Sequence, residues 1–229
     1  MSIAERYKDV VNQVSAAAVA SNRDPEDVSI VAVSKTHPAS YVEQALSAGA
    51  RVFGENKVQE GVEKAGLVES DEIEWHLIGH LQKNKVRKAV LAFDVIQTID
   101  SLKLAQRVDR IADEESRYLK VFVQLNLAAE TSKFGASESE LLKISDFLAS
   151  ASSLEFAGLM AIPPFFKNPE DVRPYFRKLR ELRDELREDG IFSGDSGWLS
   201  MGMSQDFPVA IDEGATHVRI GTAIFGQRG

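Results

Sequence analysis

Short runs of apolar residues alternate along the chain with longer stretches in which apolar residues recur every three or four positions. The short runs predict eight strands, at residues 28–34, 51–53, 73–78, 93–99, 119–126, 154–161, 197–200 and 216–220. The longer stretches predict helices, because residues three and four apart lie on one face of a helix. Residues 3–20 have the same spacing and predict a helix ahead of the first strand.

This alternation is typical of a parallel sheet, because each strand must be joined to the next by a crossover that a helix supplies. Eight such units predict an α/β fold closed into a (β/α)8 TIM barrel. An open, doubly wound sheet is the alternative, since it tolerates the same pattern. No internal repeat or flexible linker interrupts the chain, so we predict a single domain over residues 1–229. Residues 1–24 then carry the extra N-terminal helix, which packs on the barrel.

The composition excludes several kinds of site and partner. The sequence contains no cysteine, which excludes disulfides, thiolate metal ligands and cysteine catalysis. Its four histidines lack the paired spacing of a metal site, so we predict no metal. The formal net charge of −8 disfavours nucleic acid and anionic membranes as partners. No apolar run approaches the roughly 20 residues that span a bilayer, so we expect a cytoplasmic protein, and we expect it to be a monomer.

The first predicted strand ends in a lysine. Residues 30–33 are all apolar, which predicts a strand buried on both faces, and Lys35 follows it after one serine. In barrels and in open α/β sheets, ligands bind at the carboxyl ends of the strands. Lys35 therefore indicates a site, although its position alone favours the alternative of a solvated loop lysine.

Glycines and hydroxyl side chains follow the last two predicted strands, within residues 200–204 and 219–222. Glycine lets backbone N–H groups approach a phosphate, and we expect Ser204 to begin the next helix and present its positive end. Barrel proteins often bind phosphate after strands 7 and 8. The two loops together predict a phosphate site. The alternative is that Gly202 and Gly221 only make tight turns.

Arg219 lies inside an otherwise apolar strand. A buried guanidinium needs a partner, because its charge cannot be removed. One interpretation is an ion pair with an interior carboxylate such as Glu55, and the other is a hydrogen bond to a polar ring atom of a ligand. A lysine, a two-loop phosphate cradle and an arginine for a ring atom together fit pyridoxal 5′-phosphate (PLP), whose aldehyde forms a Schiff base with lysine.

Three further residues near strand ends are candidate contacts for this cofactor: Asn56, His76 and Met160. The apolar neighbours of His76 favour a hydrogen-bonded core histidine over a catalytic one. Asn56 equally fits a cap for the helix that follows it.

Six segments resemble those of the pyridoxal-phosphate homeostasis proteins, which share the barrel of the alanine racemase N-terminal domain. They are VAVSKTHP, VFGENKVQE, WHLIGHLQKNK, GLMAIPP, LSMGMSQDFPVAI and VRIGTAIFG, and they extend over nearly the whole chain. The resemblance implies that Lys35 carries PLP and that Arg219 faces the pyridine nitrogen. It also implies that the phosphate is bound by Ser200, Met201, Gly202, Met203, Ser204, Gly221 and Thr222.

The resemblance implies a carrier that is not an enzyme: it would hold PLP, hand it to recipient apoenzymes and keep linked amino-acid and keto-acid pools in balance. Lys133, in the loop after the fifth strand, is then a candidate for coenzyme exchange, with a solvated lysine as the alternative. A PLP-dependent racemase-type enzyme is a second interpretation of the fold. Racemisation needs a second acid/base group, and the four tyrosines fall on helices or at the start of a strand. A coenzyme-free Schiff-base aldolase is a third.

Overall fold

Eight parallel strands form a closed barrel in the order β1 to β8. The computed structural model describes residues 1–128 and 134–227. The strands are β1 (Ser29–Val33), β2 (Val52–Glu55), β3 (Glu74–Leu77), β4 (Val95–Ile99), β5 (Leu119–Leu125), β6 (Leu154–Ala161), β7 (Trp198–Met203) and β8 (His217–Ile220). Closure is made by β1 and β8, with Ile30 opposite Val218 and Val31 opposite Arg219. The fold is therefore a (β/α)8 TIM barrel, and the open sheet considered as an alternative is wrong.

Helices surround the barrel and connect its strands. They are α1 (Ile3–Ala20), α2 (Ala39–Ser47), α3 (Val58–Leu67), α4 (Val86–Ala92), α5 (Leu102–Glu114), α6 (Glu138–Leu148), α7 (Arg173–Glu188), α8 (Phe207–Asp212) and α9 (Thr222–Phe225). Short 3-10 turns lie at Pro25–Asp27, Lys83–Lys85 and Pro169–Val172. Across the described parts of the chain, no helix combines the length and the apolar character that crossing a membrane requires.

The predicted N-terminal helix is present as α1 and is fixed at its start and along its buried face. Ser2 and Glu5 form a capping box, in which each side chain accepts a hydrogen bond from the other residue's backbone N–H. The helix contacts α8 and α9. Arg6 Nε also donates to the carbonyl oxygen of Ile224 at 2.6 Å. These contacts attach α1 to the outside of the barrel, beside its last two helices.

The strands lie where the apolar runs predicted them, and the largest difference is at the end of β7. The prediction ended this strand at residue 200, whereas β7 continues to Met203. Its register with β8 shifts between Ser200 and Met203, and Gly202 has a φ of 90°. Such a bulge lets a strand continue through a glycine that, in the sequence, looks like the start of a turn.

Apolar side chains fill the fold in two layers, because successive residues of a strand point to opposite faces. The larger layer lies between the strands and the helices. Inside the barrel, one cluster consists of Val95, Phe122, Ala157 and Met160. A second inner cluster, Val31, Val33 and Ile78, lies towards the carboxyl ends of the strands.

Two glycines of α3 allow a matched test of this packing. A Cβ atom on Gly61 would lie 2.2 Å from Cζ of the buried Phe93, whereas one on Gly66 would meet nothing within 4 Å. Alanine favours a helix over glycine by about 0.5–1 kcal/mol. We therefore expect Gly66→Ala to raise the free energy of unfolding by about 0.5 kcal/mol, and overpacking in Gly61→Ala to lower it by about 1–3 kcal/mol. Urea denaturation measures both, and equal stability of the two variants would contradict the packing of Phe93 against α3.

Candidate functional site

A cavity of roughly 550 Å³ opens at the carboxyl ends of the strands. It brings together predicted site residues from four strand ends, because all parallel strands finish at the same end of a barrel. The predicted residues that line it are Lys35, Asn56, Met203, Ser204, Arg219, Gly221 and Thr222. The inner apolar residues Val33 and Ile78 form part of its wall.

The other predicted site residues do not line this cavity. His76, Met160 and Ser200 are buried among the inward-facing side chains of the barrel, whereas Met201 belongs to the outer apolar layer. Gly202 faces α8, since a Cβ atom there would lie 2.5 Å from that of Ala210. Their assignment to the cofactor site stays a prediction. Lys133 falls outside the residues that the structure describes.

Arg219 is held between two acceptors at the bottom of the cavity. Its Nη1 donates to Ser200 Oγ at 2.7 Å, and its Nη2 donates to the carbonyl oxygen of Ala161 at 2.8 Å. Burial lowers the pKa of Arg219 to about 10, and nearby Asp206 opposes this shift, so the guanidinium remains charged at neutral pH. Glu55 pairs with another residue, Lys64, at 2.7 Å. The suggested ion pair between Arg219 and Glu55 is therefore wrong.

The hydrogen bonds of Arg219 continue through the centre of the barrel. Ser200 Oγ lies 2.6 Å from Gln97 Oε1, and Gln97 Nε2 lies 2.7 Å from His76 Nδ1. His76 Nε2 then lies 2.7 Å from Glu74 Oε1. An arginine only donates, so Ser200 must donate onward to Gln97, whose amide nitrogen must donate to His76. His76 therefore carries its proton on Nε2, and it is the hydrogen-bonded core histidine that its neighbours favoured.

Two features of the cavity were not anticipated. An apolar loop after β6 lines it with Ile162, Phe165 and Phe166, and Asp206 also lines it. The sequence signal for this loop is the apolar run IPPFF at residues 162–166, directly after the sixth predicted strand. Burial raises the pKa of Asp206, whose Oδ1 accepts a hydrogen bond from the backbone N–H of Met203 at 2.6 Å.

The expected roles of Ser204 and Asn56 at helix ends are wrong. Ser204 lies in a turn, and α8 begins three positions later at Phe207, because the bulge in β7 moves the end of the strand forward. Helix α3 begins at Val58 with Lys57 in the N-cap position and no side-chain cap. Asn56 is therefore not the cap of that helix, and it lines the cavity instead.

The groups around the cavity match the chemistry of a small aromatic aldehyde that carries a phosphate. Lys35 offers an amine, and Arg219 offers a fixed positive charge. Ser204 and Thr222 add hydroxyl groups beside the backbone of Gly221. Apolar side chains of Val33 and Ile78 provide a surface on which a ring can pack.

Comparison with known proteins gives matches over the whole chain. The family described as "Alanine racemase, N-terminal domain" matches residues 14–229. The pyridoxal phosphate homeostasis protein of Aquifex aeolicus is 39% identical over 228 residues, which cover 100% of this chain and 99% of that protein. The homeostasis protein of Escherichia coli K12 is 41% identical over 229 residues, covering 99% and 97% of the two chains. This chain belongs to the pyridoxal phosphate homeostasis protein family.

Comparison with solved structures extends the match to three dimensions. PipY of Synechococcus elongatus, without PLP, is 38% identical and has a TM-score of 0.88, over 98% of this chain and 100% of PipY. PipY with PLP bound is 38% identical and has a TM-score of 0.86 over the same shares. Alanine racemase from Corynebacterium glutamicum is only 16% identical, with a TM-score of 0.77 over 98% of this chain and 61% of the racemase. That last likeness shows a shared fold alone.

Replacing Ser200 with alanine tests the hydrogen-bonded chain. The substitution leaves Arg219 Nη1 without its acceptor and Gln97 Oε1 without its donor, and both atoms are buried. An unsatisfied buried polar group costs about 1–3 kcal/mol, so we expect the free energy of unfolding to fall by that amount. Ser145→Ala is the matched control, because Ser145 Oγ is buried and has no hydrogen-bond partner among the described residues. A loss no larger than that of the control would argue against the chain.

Proposed function

We propose that this protein binds PLP in the cavity at the mouth of the barrel, holds it through Lys35 and contributes to the balance of the coenzyme in the cell. The observation that carries the proposal is the meeting of Lys35 with Arg219, Gly221 and Thr222 around one cavity. The name of the Aquifex aeolicus relative and the PipY structure with PLP bound support it. When bound, PLP supplies an aldehyde that reacts with amines.

In this proposal, different residues around the cavity bind the aldehyde, the phosphate and the ring of PLP. The Lys35 amine makes the covalent bond, and the hydroxyls of Ser204 and Thr222 donate to the phosphate together with the backbone of Gly221. Arg219 faces the ring, with its orientation set by its hydrogen bonds to Ser200 and Ala161. A fixed guanidinium at the pyridine nitrogen disfavours protonation of that nitrogen. The ring would then accept negative charge poorly, which disfavours most carbanion chemistry but does not by itself separate a carrier from a racemase.

The make-up of the cavity favours a carrier over a racemase. Racemisation needs an acid/base group on each face of the substrate. The sequence has four tyrosines, all among the described residues, and none of them lines the cavity. Lys35 can serve one face. We therefore propose a role without turnover, in which recipient apoenzymes take the coenzyme and amino-acid and keto-acid pools respond. We also propose a cytoplasmic monomer, and a part for Lys133 in coenzyme exchange.

Borohydride reduction in the presence of PLP tests the role of Lys35. We expect the parent protein to turn yellow with PLP and to carry one reduced adduct on Lys35 by mass spectrometry. Lys35→Ala should form no such adduct, because it lacks the amine. Lys57→Ala is the matched control, because Lys57 follows β2 much as Lys35 follows β1 and its side chain is exposed. An adduct solely on another lysine would contradict the assignment of Lys35 as the residue that binds PLP. A colourless protein that reacts with keto substrates would favour the coenzyme-free aldolase.

Isotope exchange separates the carrier from the racemase. The PLP-loaded protein is incubated with L-alanine in deuterated water, and α-deuterium and optical purity are followed. Proton transfer by a positioned group contributes about 10²–10⁴-fold. No tyrosine is among the described residues that line the cavity, and Asp206 there accepts a hydrogen bond from the backbone of Met203, so we expect exchange no faster than free PLP gives. Protein-dependent exchange with loss of optical purity, abolished by Lys35→Ala, would replace the carrier with a racemase-type enzyme.

A further inference from the structure

The residues on both sides of Lys35 are tied to neighbouring parts of the barrel. The Ser34 hydroxyl donates to Glu55 Oε1 at 2.6 Å, and the Ser34 carbonyl oxygen accepts from Lys64 Nζ at 2.7 Å. On the other side, the backbone N–H of Thr36 donates to a carboxylate oxygen of Glu60. Hydrogen bonds therefore hold the chain at Ser34 and at Thr36, the residues immediately before and after Lys35.

These contacts converge on one buried cation. Lys64 Nζ lies 2.7 Å from Glu55 Oε1 and 2.9 Å from Glu60 Oε1. The Lys64 side chain is 5% exposed and that of Glu55 is 0% exposed. Burial raises the pKa of Glu55, and the hydrogen bonds from Lys64 and Ser34 oppose that shift. Burying an ion pair costs desolvation free energy. A fold is often at least as stable when well-packed apolar side chains take the place of such a pair.

The turn after β1, which contains Lys35 and Thr36, has a backbone conformation that its sequence does not favour. Thr36 has a φ of 66°. A β-branched residue rarely adopts a positive φ, because its Cβ substituents crowd the backbone. The conformation therefore depends on contacts from outside the turn, and the Glu60 carboxylate supplies one directly at Thr36. This turn sets the direction in which Lys35 leaves the backbone.

We propose that Glu60 and Lys64 are positioning residues for Lys35. Together with Glu55 they hold the turn after β1 in the strained conformation that keeps the Lys35 amine in the cavity. This inference rests on the proposed function, because it concerns the reaction of Lys35 with the PLP aldehyde. Since the turn is already ordered, the Lys35 amine can react without a preceding change in the backbone. In that reaction Lys35 Nζ would form a double bond to the aldehyde carbon, the carbon–oxygen double bond would break, and the oxygen would leave as water with the two protons that the –NH2 group gives up.

Glu60 is the residue to change first. Its side chain is 22% exposed, and Lys64 keeps Glu55 as a partner when Glu60 is shortened, so the fold should survive. Stopped-flow mixing of coenzyme-free protein with PLP gives the rate at which the visible absorbance of the adduct appears. A displacement of about 1 Å at a reacting group can cost roughly 100-fold, so we expect Glu60→Ala to react about 10- to 100-fold more slowly.

Three companion variants separate positioning from a general structural effect. Glu60→Gln keeps an oxygen that can accept from Thr36 and should recover most of the rate. Glu63→Ala, on the exposed face of the same helix, should react like the parent. Thr36→Gly in the Glu60→Ala background should also recover part of the rate, because glycine adopts a positive φ without strain. A purely structural role for Glu60 predicts no such rescue.

Amide hydrogen exchange reports on the same turn without any coenzyme. We expect the Thr36 amide to exchange faster in Glu60→Ala than in the parent, while amides within β1 stay protected. A parent protein that forms no adduct on Lys35 would overturn the proposed function and the inference with it. A normal parent adduct, with Glu60→Ala reacting at the parent rate, would overturn the inference alone and leave the carrier proposal standing.

Discussion

The parallel pairing of β1 with β8 is the constraint on which the site depends. It aligns residues from near the start of the chain with residues from near its end, with Ala32 opposite Ile220. Lys35 follows the first of these strands, and Gly221 and Thr222 follow the other. The Lys35 amine and the groups proposed to bind phosphate therefore meet around one cavity because the barrel closes, and no local segment of the chain contains them both.

The turn after β1 illustrates how a strained backbone is maintained next to that closure. A positive φ at a residue with a Cβ costs roughly 1–2 kcal/mol. A hydrogen bond to a charged group contributes about 1.5–3 kcal/mol, so the Glu60 carboxylate is sufficient to offset the strain at Thr36. Lys64 in turn keeps Glu60 in place. The conformation of a surface turn is thus decided by an ion pair that lies largely beneath it.

The sequence predicted the fold well and the site in part, for reasons that differ from residue to residue. Regular alternation of strands and helices leaves few arrangements other than a barrel, so all eight strands were anticipated. Ser200 and Met201 do not line the cavity, because a bulge shifts the end of β7, and the sequence shows only a glycine there. Gln97 gave the same signal as Arg219, a polar residue within an apolar strand, but was not singled out. Lys64 was not singled out, since its spacing of four residues from Glu60 carries no information about burial.

The direction of the hydrogen bonds between Arg219 and Glu74 has a consequence for how this sequence can diverge. Each member donates to the next, so the residue type at one position dictates what its neighbour must accept. A carboxylate at position 97 would accept from Ser200 but has no proton to donate to His76 Nδ1, so that contact would survive only if Nδ1 itself carried a proton and donated it. Positions 76 and 97 should therefore vary together among relatives. Where one of them becomes apolar, the other should be apolar too, because a single replacement would leave a buried polar group without its partner.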